Sequence, residues 1–248
     1  MKKIMIVIIV STILITLSAC QTMNDIHPFY EDTIQHKLME TRTEIRKANV
    51  GVNVDLYRRS LSGIFERVAG TSKGSGVIFM MDETYYYALT NFHVIDDTGY
   101  VRADYTISPS TNEGTYPAEV LVSDPSKDLA VIRFKRLDLE LSLINLTARY
   151  DTLVKQNELV LAVGNPSAVN SIVTYGEALS MVTISNVDFP VLLHSALIYP
   201  GNSGGALTDI DGNLLGINTW GNADDDERNM AVPLEIIIDF LEANDLMP

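Results

Sequence analysis

From residue 51 onward the chain keeps no helical period until its last stretch. Short apolar runs rich in Val, Ile, Leu and Tyr alternate with Gly, Asn, Asp, Ser and Pro. Such runs stand at 64–68, 76–80, 85–90, 118–122 and 129–134. A second series follows at 159–163, 172–179, 191–194, 206–208, 214–218 and 230–232. Each is of strand length and ends on turn residues. The pattern predicts an all-β domain, either a sandwich or barrels. The tail differs. Leu234, Ile237, Ile238 and Leu241 recur at helical spacing behind Pro233, a residue suited to a first helical turn. One C-terminal helix is expected to pack on the strands.

Strand density dips between residues 138 and 150, which divides the domain into two β units, 51–143 and 144–248. The 248 residues are enough for a sizeable core, and 46% hydrophobic against 20% charged content marks a globular chain. The formal charge of −14 argues against a nucleic-acid partner, which needs a basic face. The charged loop at 222–229 reads as a solvated hairpin tip, since no calcium-loop pattern runs through it.

The N-terminus reads as an export signal. Lys2 and Lys3 precede an apolar run at 4–16, shorter than the roughly 20 residues a membrane-spanning helix needs. It ends in Leu17-Ser18-Ala19-Cys20, which resembles the bacterial lipobox. That resemblance implies removal of residues 1–19 and lipidation of Cys20, with the protein held to a membrane outside the cytoplasm, at the bacterial cell envelope. Cys20 is the single cysteine, so no disulfide within the chain is possible. Residues 20–50 read as a tether or helix, with Ile34, Leu38, Met39 and Ile45 at loose helical spacing. His27 and His36 in this stretch read as ordinary surface histidines.

Three stretches carry candidate chemistry. In Tyr199-Pro200-Gly201-Asn202-Ser203-Gly204-Gly205, three glycines and an asparagine crowd one serine. Backbone freedom there can expose a hydroxyl and leave amides for an oxyanion. The same residues also suit a plain turn. Gly201-Asn202-Ser203-Gly204-Gly205 fits the nucleophile elbow of esterases and other α/β-hydrolases as well. That fold needs its histidine after the serine, whereas His27, His36, His93 and His194 all precede Ser203. The order His, Asp, Ser stays open. Thr90-Asn91-Phe92-His93-Val94 runs from a strand into a polar turn, and Ser126-Lys127-Asp128-Leu129-Ala130-Val131 opens an alternating strand on a carboxylate.

Together with Gly74-Ser75-Gly76-Val77-Ile78, these stretches resemble the motif series of trypsin-like serine proteases, the HtrA/Deg type above all. Asn165-Pro166 behind Val163-Gly164 and Ala231-Val232-Pro233 are similar to that family too. The resemblance runs over roughly residues 64–240. It implies two six-stranded antiparallel β-barrels with a C-terminal helix. It also implies a serine endopeptidase acting on unfolded or extended polypeptides, in protein quality control. Ser203 would be the nucleophile, His93 the general base and Asp128 its orienting carboxylate, with the amides of Gly201 and Ser203 as the oxyanion hole.

Further expectations follow from the same resemblance. Leu197, six before the nucleophile, falls at the base of the primary pocket, with Ile198 and Met230 as walls. With no carboxylate there, the pocket favours a small or medium aliphatic side chain. Thr219-Trp220-Gly221 looks like the strand that pairs with substrate. Asn202 stands where digestive relatives carry an aspartate that pairs with a new N-terminal amine, so no activating cleavage is expected. Neither metal nor cofactor is called for. HtrA/Deg relatives usually carry a PDZ domain after the protease and often form trimers. This chain stops after one helix, which puts that regulation and the oligomeric state in doubt. The competing reading is a surface lipoprotein of this fold that only binds peptides.

Overall fold

The computed structural model describes residues 32–60, 63–110, 114–165, 171–185, 187–221 and 229–248. Cys20, His27, Pro166 and most of the 222–229 loop lie outside the described residues. The body that holds both barrels runs from Glu40 to Pro248.

Helix α1 (Asp32–Ala48) leads directly into the first barrel. That barrel comprises β1 (Asn49–Arg59), β2 (Glu66–Met81), β3 (Tyr85–Thr90), β4 (Arg102–Pro109), β5 (Tyr116–Asp124) and β6 (Leu129–Lys135). The four-residue helix α2 (Phe92–Ile95) follows β3. The second barrel comprises β7 (Leu159–Gly164), β8 (Ile172–Val182), β9 (Val191–His194), β10 (Ala206–Asp209), β11 (Leu214–Trp220) and β12 (Asn229–Pro233). Helix α3 (Leu234–Glu242) closes the chain.

Both sheets close on themselves, in the orders β1-β2-β3-β6-β5-β4 and β10-β11-β12-β9-β8-β7, and every pairing is antiparallel. Closure removes the unpaired edges that an open sheet would expose. Of the two all-β architectures the strand pattern allowed, the chain adopts barrels, with the expected terminal helix.

Period-two patterning fills the first barrel. Val50, Val52, Val54 and Leu56 of β1 point inward and pack with Ile78, Tyr86, Ile107, Ile132 and Phe134. The second barrel has a smaller core around Val160, Leu192, Leu207, Leu215 and Ala231. Helix α3 buries Leu234, Ile237, Ile238 and Leu241, the residues of its helical stripe.

Three features differ from the strand reading. β1 and β4 stand where no run was assigned, although Val50, Val52, Val54 and Leu56 alternate plainly. The runs at 64–68 and 76–80 belong largely to one strand, β2. Its outer half, from Glu66, reaches beyond the core as an exposed ribbon paired with β1. Polar residues there carry no burial signal, so periodicity alone did not join the two runs. The C-terminal part of α1 is no loose tether. The Thr41 hydroxyl donates to the Ile210 carbonyl oxygen at 2.7 Å, and Ile45 is buried beside Gly212.

The barrels are tied to each other by main-chain bonds through their linker. The Ile144 amide donates to Ile78 at 2.8 Å and the Leu214 amide to Asn145 at 2.9 Å. Among the described residues no helix is long and apolar enough to cross a membrane.

Candidate active site

The site forms where the two barrels meet. The first barrel supplies His93 on α2 and Asp128 at the mouth of β6. The second supplies the loop 199–205 and the end of β11.

Asp128 is reached through an Asx turn, in which Asp124 Oδ1 accepts from the amides of Ser126 and Lys127 at 2.9 and 3.3 Å. Asp128 itself takes φ +53°, a left-handed conformation that Asp tolerates better than most residues. Its side chain is 9% exposed, against 44% for His93. The carboxylate is bound from three sides. His93 Nδ1 lies 2.8 Å from Oδ2 and 3.0 Å from Oδ1. The His93 amide donates to Oδ1 at 2.9 Å, and the Thr219 hydroxyl donates to Oδ2 at 2.5 Å. With Nδ1 facing a carboxylate, Nδ1 carries the proton and Nε2 is left as the basic nitrogen. Asn91, just before α2, makes no side-chain cap; it donates instead to the Asp128 carbonyl oxygen at 2.9 Å.

The Ser203 hydroxyl donates to the Thr219 carbonyl oxygen at 3.1 Å. Thr219 therefore touches both ends of the constellation, its hydroxyl on Asp128 and its carbonyl under Ser203. Sequence reasoning placed Thr219 on the substrate strand and missed this bridging position. Its small hydroxyl side chain before Trp220-Gly221 was the signal. The strand carrying Gly74 closes the gap from the other side. A Cβ built at Gly74 would lie 2.6 Å from Val94 on α2 and 2.9 Å from the Ser203 carbonyl oxygen.

The turn at 201–205 is pinned by main-chain bonds. The Asn202 amide donates to Tyr199 at 2.8 Å, Gly204 to Asn218 at 2.9 Å and Gly205 to Asn202 at 2.9 Å. The carbonyl oxygens of Gly201 and Ser203 both point inward, accepting from the Ser75 hydroxyl at 2.6 Å and the Ser75 amide at 2.7 Å. Gly201 adopts φ +97°. The amides of Gly201 and Ser203 have no hydrogen-bond partner among the described residues. Unpartnered donors beside a serine hydroxyl are what an oxyanion requires.

The residues expected to form the pocket lie on the 197–198 segment, the end of β11 and β12. Ile198 packs on the core of the second barrel, whereas Leu197, expected at the pocket base, is 36% exposed, with its carbonyl held by the Thr174 hydroxyl at 2.6 Å. A Cβ at Gly221 would lie 3.2 Å from Ile198 Cγ1, so Ile198 spans the space towards the 219–221 segment. Met230 pairs with Leu193 and Trp220 on β12.

His194 lies close by, on β9, and is fully buried. Its ring nitrogens have no partner of ordinary geometry among the described residues. Burial drives its pKa down to about 4, opposed in part by the Ala196 backbone and the Asn218 side chain. No cluster of three or more metal-ligating side chains occurs among the described residues.

Residues 74–217 match the family described as trypsin-like peptidase domain. The chain is 34% identical over 151 residues to the probable periplasmic serine endoprotease DegP-like of Chlamydia pneumoniae, covering 59% of this chain and 28% of that protein. It is 35% identical over 153 residues to Protease Do-like 1, chloroplastic, of Arabidopsis thaliana, covering 59% of this chain and 33% of that protein. The crystal structure of the serine endoprotease from Yersinia pestis superposes with a TM-score of 0.63 at 29% identity, over 83% of this chain and 65% of that one. The chain thus spans about a third or less of the length of these two curated relatives.

Proposed function

The chain belongs to the trypsin-like peptidase family, and on that premise we propose that it is a serine endopeptidase that cleaves unfolded or extended polypeptides at the bacterial cell envelope. The observation that carries this reading is the run of contacts from His93 through Asp128 and Thr219 to Ser203, beside two unpartnered amides.

Ser203 Oγ attacks the scissile carbonyl carbon as its proton passes to His93 Nε2. Apo geometry does not preclude this step, since such hydrogen bonds tighten when substrate binds. For this step the Ser203 hydroxyl turns from the Thr219 carbonyl oxygen towards the ring. Asp128 holds the ring with Nδ1–H inward and stabilises the imidazolium that forms. The oxyanion of the tetrahedral intermediate is met by the amides of Gly201 and Ser203. One such donor is worth about 3–4 kcal/mol of barrier. Collapse breaks the C–N bond, and the departing amine takes the proton from His93. Water then attacks the acyl-enzyme, again with His93 as base, releasing the acid and restoring Ser203.

The substrate lies extended along the 219–221 edge, with its aliphatic side chain directed at Ile198. Native folded chains do not offer such a strand, which favours damaged or misfolded proteins and hence a quality-control role. Envelope location is supported by the export pattern ending at Cys20 and by the periplasmic designation of the DegP-like relative. Lipidation of Cys20 anchors the enzyme there.

Casein cleavage by the chain purified in detergent, beside its Ser203→Ala variant, tests the reading. The parent should cut and the variant should fall by at least about 10⁴-fold. Equal cleavage by both would reject Ser203 as nucleophile. No cleavage by either, with no fluorophosphonate labelling of the parent, would leave a peptide-binding protein of this fold.

A further inference from the structure

Ser75 stands on β2, in the first barrel, and is fully buried. A hydroxyl at a buried strand position needs partners, and both of its partners lie in the other barrel. It donates to the Gly201 carbonyl oxygen at 2.6 Å and accepts from the Asn165 amide at 2.7 Å. The main chain of Ser75 is engaged as well. Its amide donates to the Ser203 carbonyl oxygen at 2.7 Å, and its own carbonyl oxygen accepts from the Thr90 hydroxyl at 2.7 Å. One residue of the first barrel therefore grips the nucleophile loop on both sides of Asn202.

The Gly201–Asn202 peptide is fixed at each end. Its oxygen is held by Ser75 Oγ and its N–H by the Tyr199 carbonyl oxygen at 2.8 Å. Gly201 sits at φ +97°, and Pro200 before it has its own φ locked by the ring. With the following peptide plane fixed, few torsions remain to steer the Gly201 N–H. Without the Ser75 hydroxyl, the inward carbonyl of Gly201 and the Asn165 amide would both lose a buried partner. The Gly201–Asn202 peptide would then gain by turning its oxygen elsewhere, and the Gly201 N–H, which belongs to the preceding Pro200–Gly201 peptide hinged to it at the Gly201 Cα, would lose the fixed plane it is aimed from.

We infer that Ser75 is a positioning residue of the oxyanion hole: by holding the Gly201 carbonyl oxygen inward, its hydroxyl keeps the Gly201 and Ser203 amides aimed at the substrate carbonyl. This rests on the serine endopeptidase reading above. Among the described residues the hydrogen bonds of Ser75 reach neither the 219–221 edge nor Ile198, so its effect belongs to the transition state and not to ground-state binding.

The test is Ser75→Ala in the full chain, assayed with a peptide substrate well below its melting temperature. The expected result is a fall in kcat of about 10- to 100-fold, short of the 10²–10³ for losing a donor outright, with KM within about twofold. Affinity for a peptide boronic acid, whose adduct on Ser203 places an oxygen in the hole, should fall in parallel. Affinity for a non-cleavable peptide should not. A brace between barrels and nothing more would lower the melting temperature while kcat and boronate affinity stayed within twofold of the parent, and that result overturns the inference while leaving the protease intact. Should Ser75→Ala not fold, Ser75→Cys, which keeps a weaker donor of similar shape, decides in its place. A fall in kcat with KM kept supports the role, and parental kcat removes it. A parent that neither cleaves nor reacts with a fluorophosphonate overturns the proposed function, and this inference with it.

Discussion

At the scale of single residues, Gly204 sets the tolerance of the site. It adopts φ +87°, and a Cβ there would lie 2.0 Å from the Ser75 carbonyl oxygen and 2.5 Å from the Thr90 hydroxyl. The left-handed conformation alone costs a non-glycine residue about 1–3 kcal/mol, and the contact with main chain cannot be relieved by a rotamer change. Gly204→Ala is therefore expected to lower the melting temperature by several degrees and to abolish fluorophosphonate labelling. A variant that melts with the parent and still labels would show that the loop has another way to sit. Asn202 beside it is fully buried, with both side-chain polar atoms unpartnered among the described residues. An ionised carboxylate in that place would be buried without a counter-charge.

At the scale of elements, the proposed peptidase would owe its specificity to how the segment holding Ile198 faces the end of β11. A Cβ at Gly221 would lie 3.2 Å from Ile198 Cγ1, so on the proposed reading the Ile198 side chain would limit the depth available to substrate. Ile198→Gly should admit larger residues, with cut sites in casein moving from Ala and Val towards Leu, Met and Phe. A methylene in such a pocket is worth about 10–200-fold in discrimination, so the shift should be plain from sequenced products. An unchanged set of cut sites would mean that the pocket is bounded by other residues.

At the scale of the whole molecule, His194 is one of the groups through which acid lowers stability. Its folded pKa of about 4 lies below the ordinary value near 6.5, because the buried ring cannot accept charge cheaply. Between those values the unfolded chain binds more protons at this residue than the folded one does. Stability from His194 is thus fully present above about pH 6.5 and is lost progressively as the pH falls towards about 4. The loss amounts to roughly 3 kcal/mol at most. Urea unfolding at pH 7 and pH 4.5 should record this, and His194→Gln should flatten the difference. An identical pH dependence in the variant would assign the acid sensitivity to other groups.

Much of this chain could be read locally. Alternation of apolar residues, as in Leu129 to Phe134, specifies strands because the side-chain period of a strand is two. The 234–241 stripe specifies a helix for the same kind of reason. Ser203 stood out by its neighbours Gly201 and Gly204, whereas His93 and Asp128 were singled out only by the resemblance of the whole motif series. Periodicity carries no such signal where the chain leaves the core. The outer half of β2 was therefore not joined to its inner half, and the docking of α1 through Thr41 and Ile45 went unread. Closure was also not local, since a sandwich and a barrel share the same strand pattern and differ only in which strands pair. Contacts between distant segments depend on that closure. The side chains of His93 and Asp128 meet across 35 residues, Thr219 reaches Asp128 across 91, and Ser75 takes hold of Gly201 across 126. A serine in a Gly-Ser-Gly run is chemically silent in sequence. It acquires its two partners only when one barrel is laid against the other, because a hydrogen bond depends on position in space and not on separation along the chain.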